Sequence, residues 1–316
     1  MIPILYIVVP CYNEEEVLTE TTKRLTEKLS SMIKDGMVAE DSRIMYVNDG
    51  SKDRTWEMIT EFYGANPYVT GITLSRNRGH QNALLAGLMT AKEYADIVIS
   101  MDADLQDDVD AIDRFVEEYK NGAEIVYGVR NSRKKDSFFK RTTALGFYRL
   151  MERMGVEIVY NHADYRLMSK RALNELEGFK EVNIFLRGLV PMLGFKTATV
   201  EYERDKRFAG ESKYPLKKMI SFAIDGITSC SVKPIRVITT CGFLISLISF
   251  FMLLYVLFGH FFLGGTVRGW TTTVVLICFF GGSQLLSIGV VGEYVGKIYL
   301  ETKQRPRFII SEELKK

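Results

Sequence analysis

Ile97-Val98-Ile99-Ser100-Met101-Asp102-Ala103-Asp104-Leu105-Gln106-Asp107 is the stretch that decides the fold. Its first four residues are an apolar run bounded by charge, the signature of a strand buried on both faces. Beyond that run, two carboxylates and an amide recur at every second position. Residues at i, i+2 and i+4 of an extended chain share one face, so Asp102, Asp104 and Gln106 can converge on one point. Paired anionic oxygens beside a neutral one suit a hard divalent cation, Mg²⁺ or Mn²⁺, bridged to substrate phosphates. An isolated Asp-x-Asp is also an acidic turn that caps the next helix, and Asp107 and Asp108 read as the start of that helix.

The surrounding chain repeats the same grammar. Strand-like runs at Ile4–Val9, Arg43–Val47, Val69–Leu74, Asp96–Met101 and Glu124–Val129 alternate with helix-like segments, and Phe195–Tyr202 reads as a further strand. That alternation predicts an α/β fold with a doubly wound, mostly parallel sheet. Four of the strands end in polar loops: Pro10-Cys11-Tyr12-Asn13-Glu14, Asn48-Asp49-Gly50-Ser51-Lys52-Asp53, Ser75-Arg76-Asn77-Arg78-Gly79 and Asp102-Ala103-Asp104. In a parallel sheet those ends lie along one edge, where ligands bind.

The chain has 316 residues, enough for one large domain or two ordinary ones, and its formal charge of +2 points to no nucleic-acid partner. Val237–Val267 carries no Asp, Glu, Lys or Arg, and a second uncharged stretch runs from Gly269 to Gly292. A bilayer-crossing helix needs about 20 residues, so the expectation is a two-span membrane hairpin over 234–296. A buried soluble hairpin is the alternative. Lys217, Lys218, Lys233 and Arg236 precede the first stretch, and Lys297, Lys303, Arg305 and Arg307 follow the second. That excess places the large domain and both termini in the cytosol. Ile2–Val9 lacks the basic leader of a signal peptide. Leu216, Met219, Ile220, Ala223, Ile224 and Ile227 form one apolar stripe, expected as an interfacial helix over 214–233 or as a helix packed on the soluble domain. Residues 1–213 would then be the catalytic domain and 297–316 a basic tail. The cysteines and histidines show no ligand spacing, so zinc is not expected. Gly281 and Gly282 would allow close contact between copies of the chain, a possible homo-oligomer.

The loop motifs, taken in order with Arg207-x-x-Gly210-x-Ser212-Lys213-Tyr214, resemble the family 2 glycosyltransferases, in particular the branch that acts on polyprenyl phosphates. The resemblance implies a GT-A-like fold and inverting transfer of a hexose from a nucleotide sugar to polyprenyl phosphate. Glucose from UDP-glucose and an undecaprenyl acceptor are favoured by analogy, with mannose, aminoarabinose or GlcNAc as alternatives. It also implies that Pro10, Tyr12, Glu14, Asp49, Gly79 and Asp102 hold the nucleotide sugar, and that Asp102, Asp104 and Gln106 ligate the metal.

Residue chemistry can be set beside each implication. Tyr12 offers a face for base stacking. Asp49 can accept hydrogen bonds from base or ribose; Glu14 can do the same or simply favour a helix start. Gly79 would open a helix whose amides favour anions. Asp164 occupies the place of an active-site carboxylate in such enzymes, orienting acceptor or sugar, with base catalysis the lesser alternative. Arg166 lies close enough to pair with it, for phosphate binding or as a structural ion pair. Arg130, Arg207, Ser212 and Lys213 are candidates for the anionic groups of donor and acceptor. Arg133, Lys134, Lys135, Lys140 and Arg141 form either a headgroup-attracting patch or a solvated face. Two other functions stay open: a membrane nucleotidyltransferase, told apart by pyrophosphate release, and a non-catalytic nucleotide-sugar-binding scaffold. The Gln-x-x-Arg-Trp pattern of processive polysaccharide synthases is absent, since neither Trp56 nor Trp270 follows an Arg.

Overall fold

A computed structural model describes residues 2–130, 162–203, 231–263 and 269–315. Its centre is an eight-stranded sheet in the order β7-β5-β6-β4-β1-β2-β3-β8. The strands are β1 Leu5–Cys11, β2 Arg43–Asn48, β3 Val69–Leu74, β4 Ile97–Ser100, β5 Ile125–Arg130, β6 His162–Ser169, β7 Thr197–Tyr202 and β8 Ile310–Leu314. Strands β4, β1, β2 and β3 run parallel, as their unbroken apolar character predicts, and β7 runs parallel to β5. The sheet as a whole is mixed: β6 runs antiparallel to both β4 and β5, and β8 runs antiparallel to β3. The expectation of a mostly parallel sheet is corrected to that extent.

Helices cover both faces. Helices α1 Leu18–Lys34, α2 Thr55–Ala65 and α4 Ala111–Lys120 place Leu18, Leu25, Leu29, Met32, Ile59, Ile112 and Phe115 against one side. On the other lie α3 His80–Ala91, α5 Lys170–Glu177 and α6 Leu186–Met192. Helix α3 can sit close because position 87 is glycine: a Cβ there would meet Val8 Cγ1 at 2.4 Å and Val47 Cγ2 at 2.6 Å. Gly87→Ala is therefore expected to destabilise the fold by about 1–3 kcal/mol through overpacking. Urea unfolding measures this, and an unchanged midpoint would contradict the close seating of α3.

Two long helices follow, α7 Lys233–Leu263 and α8 Trp270–Lys303. Among the described residues no helix is long and apolar enough to cross a membrane. The two-span hairpin, and the multi-pass placement with cytosolic domain and termini built on it, are corrected accordingly. Lys233 and Arg236 stand in the first turn of α7, and Glu293 and Lys297 in the last third of α8. A Cβ added at Gly281 or Gly282 would meet nothing within 4 Å. The apolar stripe expected over 214–233 and the basic run at 133–141 lie outside the described residues, apart from the last three positions of the former.

The expected basic tail is built into the fold. After α8 the chain turns through Gln304, whose φ of 46° is left-handed, and β8 closes the edge of the sheet beside β3. Ser75 N–H donates to the Ile309 carbonyl at 2.9 Å, and Tyr63 donates its hydroxyl to the Lys315 carbonyl. Covering an edge in this way removes unpaired backbone groups. Glu301, near the end of α8, accepts from the Val182 and Asn183 amides at 2.8 and 2.9 Å and from the Asn183 side chain at 2.8 Å.

Burial tends to raise the Glu301 carboxyl, but those donors and Arg307 more than offset it and hold it below its usual range. A lowered folded-state value gives stability that is fully present above the unfolded-state value and is lost as pH falls through the folded one. The Tm gap between wild type and Glu301→Gln should thus be wide near pH 7 and shrink by about pH 3. An equal gap at both would contradict this reading.

Candidate active site

The loops beyond β1, β2 and β3 are stitched together before any ligand arrives. Asn13, with a left-handed φ of 55°, donates its N–H to the Ser51 hydroxyl oxygen at 3.0 Å, and its side-chain oxygen accepts from the Lys52 N–H at 2.9 Å. Glu14 N–H donates to Thr55 Oγ1 at 3.0 Å. The run Glu14-Glu15-Glu16 forms a turn, and α1 begins only at Leu18. Gly50, at φ 63°, lets the β2 loop lie against the β3 loop; a Cβ there would come within 2.7 Å of the Arg76 carbonyl carbon.

Asp49 anchors the third loop. It is 2% exposed, and its two oxygens accept from the Arg78 and Gly79 amides at 2.7 and 2.9 Å. Its carboxyl is raised by burial, against the pull of those amides. In this arrangement it holds a loop, and any bond to a nucleoside is additional to that. Gly79 caps α3 at φ 84°, as its sequence position suggests. Tyr12 is 41% exposed at the edge, open for stacking, whereas Pro10 is buried in β1 opposite Val47.

The chemical centre lies where strand order reverses, between β1 and β4, the place where open α/β sheets bind ligands. Antiparallel pairing sets Ser100 opposite Arg166, and continuing that register two residues further would set Asp102 opposite Asp164. Ser100 reinforces the match by donating its hydroxyl to the Asp164 carbonyl at 2.5 Å. The Asp164 carboxylate is buried and gripped from three sides. Arg166 Nη2 donates at 2.8 Å, Arg187 donates from Nε at 3.1 Å and Nη2 at 3.0 Å, and His80 Nε2 lies 3.4 Å away. The same His80 nitrogen is 3.7 Å from Asp102.

These neighbours set the charges. Burial tends to raise Asp164, yet Arg187, the His80 hydrogen bond and Arg166 together hold its carboxyl well below the usual range. An acid that weak in proton affinity is a poor base. His80 is pushed up to about 9: its burial disfavours the proton, but Asp164 and Asp102 favour it more. Asp102 goes the other way, raised by burial and by the neighbouring Asp164 and Asp104, with His80 and Arg187 opposing. Asp104 accepts from the Gln106 N–H at 3.2 Å across a turn in which Leu105 has a φ of 55°.

Several sequence expectations change here. Arg166 is 1% exposed, with Nη1 donating to the Leu186 carbonyl at 3.3 Å. It is the structural ion pair, corrected from the phosphate-binding role because it presents no face to a substrate. Asp107 does not start a helix: it is buried, accepts the Tyr202 hydroxyl at 2.5 Å, and lies 3.6 Å from Arg130 Nη2. Burial and Asp102 push its carboxyl up to about 6, and its Oδ2 has no partner. Helix α4 instead starts after Asp110. Arg130, expected to meet phosphate, also donates from Nε to the Tyr202 hydroxyl at 3.2 Å. Arg207, Ser212 and Lys213 lie outside the described residues. His80 and Arg187 were not anticipated, since a lone His in Gly-His-Gln and an Arg in Phe-Leu-Arg-Gly carry no spacing signal.

A hard-cation site can be tested against this donor set. Among the described residues no three His, Cys, Asp or Glu side chains form a cage. What is present is a pair of carboxylates, Asp102 about 39% exposed, at a strand end. That fits a cation held by one or two carboxylates and completed by substrate phosphates.

A mixed sheet of this order, with paired acidic groups beyond a central strand and loops suited to a nucleotide, defines a glycosyltransferase of the GT-A-like class. The chain belongs to glycosyl transferase family 2, whose pattern it matches over residues 6–177. It is 56% identical over 315 residues to an uncharacterized glycosyltransferase, YkoT, of Bacillus subtilis (strain 168), covering 99% of this chain and 92% of that one. It is 38% identical over 305 residues to the bactoprenol glucosyl transferase of Shigella phage SfX, covering 96% and 97%. A solved structure, the mannosyltransferase PcManGT from Pyrobaculum calidifontis in complex with GDP-Man and Mn²⁺, is 15% identical with a TM-score of 0.45, covering 95% of this chain and 85% of that one.

Proposed function

We propose that the enzyme transfers a hexose, glucose from UDP-glucose in the first instance, to the phosphate of a polyprenyl phosphate, with inversion at the anomeric carbon. The bond from C1 to the nucleotide's β-phosphate oxygen breaks, the bond from C1 to the acceptor phosphate oxygen forms, and the nucleoside diphosphate leaves. One observation carries the reading: the carboxylate best placed to act as a base, Asp164, is locked by Arg166, Arg187 and His80. A sugar hydroxyl acceptor needs a base, whereas a phosphate monoester, with a second pKa near 6, is already anionic at neutral pH. Relatives named bactoprenol glucosyl transferase, 38% identical over nearly the whole chain, support the same acceptor class.

Each residue then has a task. Tyr12 stacks on the base, and Asp49, by accepting from the Arg78 and Gly79 amides, holds the third loop beside the nucleotide. Asp102 and Asp104, with Gln106 beside them, would hold Mg²⁺ or Mn²⁺, which stabilises charge gathering on the leaving diphosphate. Asp164 fixes Arg187 and His80 around the crevice, so that positioning dominates the rate. Arg130, Arg207, Ser212 and Lys213 are assigned to the anionic groups of donor and acceptor.

The test is incubation of the purified protein with polyprenyl phosphate, Mg²⁺ or Mn²⁺ and a panel of nucleotide sugars, with mass spectrometry of the lipid. A lipid-linked sugar and free nucleoside diphosphate are expected. Pyrophosphate release, or binding of every donor without turnover, would overturn the assignment.

A further inference from the structure

Arg187 reaches Asp164 from a short segment pinned at both ends. At its near end, Leu186 N–H donates to the Gln81 side chain at 3.0 Å and the Leu186 carbonyl accepts from Arg166 at 3.3 Å. Gln81 is the residue after His80 on α3. At its far end, Val182 and Asn183 are bound by the three hydrogen bonds to Glu301, 118 residues on from Asn183. Arg307 holds the approach, donating from Nη1 to the Phe179 carbonyl at 2.9 Å. So the C-terminal segment of the chain grips Phe179–Asn183, and only Ile184 and Phe185 separate that grip from the residues that pack around Asp164.

We infer that Glu301 is a positioning residue for transfer: it fixes the 182–187 segment so that Arg187 meets Asp164 in register with His80. Ionised acceptors of backbone amides form stronger bonds than neutral ones, and three on one carboxylate define both the height and the twist of the segment. Two residues of slack can move the Arg187 guanidinium by an ångström or more. A displacement of that size at a reacting centre costs up to about 10²-fold in rate. The nucleoside contacts at Tyr12 and Asp49 lie on other loops and do not depend on the clamp. The inference needs the chain to be a glycosyltransferase and is independent of which acceptor it uses.

The experiment is a double-mutant cycle on the full-length protein, using the nucleotide sugar that the wild type turns over, with hydrogen exchange followed on substrate-free protein. Glu301→Ala is expected to lower kcat roughly tenfold, with the donor KM nearly unchanged and faster exchange at residues 182–187. Glu301→Gln should fall between, since its one carbonyl oxygen can accept from Asn183 but not also from Val182. In an Arg187→Ala background, Glu301→Ala should cost nothing further, which a merely structural helix contact would not produce. Asn183→Ala supplies an intermediate variant should Arg187→Ala fold poorly. Losses that multiply in the double variant, wild-type kcat in Glu301→Ala, or unchanged exchange at 182–187 would overturn the inference. Should the wild type turn over no donor, the functional reading fails, and the exchange arm still decides whether Glu301 sets the segment.

Discussion

Asp104→Asn is expected to lower transfer by about 10²–10³-fold while the protein keeps its fold. Asparagine retains the oxygen that accepts from the Gln106 N–H, so the turn through Leu105 survives and only the charge is lost. Asp102→Ala should behave similarly. Its carboxyl already suffers from burial and from Asp164 and Asp104 close by, and relieving that crowding offsets the lost approach of His80. The expected Tm change in either variant is therefore small and the activity change large. Transfer assays paired with thermal unfolding give both numbers. Near-normal turnover in both variants would remove the paired carboxylates from the mechanism.

Asp164→Asn should do the reverse as well as abolish transfer: it should strike stability. Arg166 is wholly buried, and its best partner is Asp164 at 2.8 Å. Removing one member of a buried ion pair leaves a charge without compensation, a loss of about 3–5 kcal/mol. Arg187 keeps some solvent exposure and can relax; Arg166 cannot. Urea unfolding of Asp164→Asn against Arg187→Ala tests the distinction, the first costing much more than the second. Similar small losses in both would mean that the Asp164–Arg166 pair is not what holds β6 in place.

The central sheet was readable because buried parallel strands leave uninterrupted apolar runs, as in Ile4–Val9 and Ile97–Ser100. Strand β6 escaped because its charges point the wrong way for the usual rule. Asp164 and Arg166 are buried in the sheet and satisfy each other, so the segment reads as a polar motif. Strand β8 escaped because Ile310-Ser311-Glu312-Glu313-Leu314 is short and acidic and follows a basic stretch. The two uncharged runs after Lys233 invited a membrane reading, which is corrected because no helix among the described residues is long and apolar enough to cross a membrane.

The site divides along the same line. Asp102 and Asp104 were legible as an acidic pair after an apolar run, although β4 ends at Ser100 and Asp104 stands in a turn, not on an extended strand. Asp107 misled, since acidic residues usually lie at exposed helix starts, and this one is sealed under Tyr202. His80 and Arg187 became visible only when the antiparallel register of β6 put Asp164 opposite the β4 tip. Contacts between residues so far apart in the chain leave no local periodicity to read.

Removal of divalent cation from the purified wild-type enzyme tests the central claim most directly. Sugar transfer to polyprenyl phosphate, followed by mass spectrometry, should vanish in EDTA and return when Mn²⁺ or Mg²⁺ is added in excess. Turnover that continues undiminished in EDTA would contradict a catalytic centre built on Asp102 and Asp104.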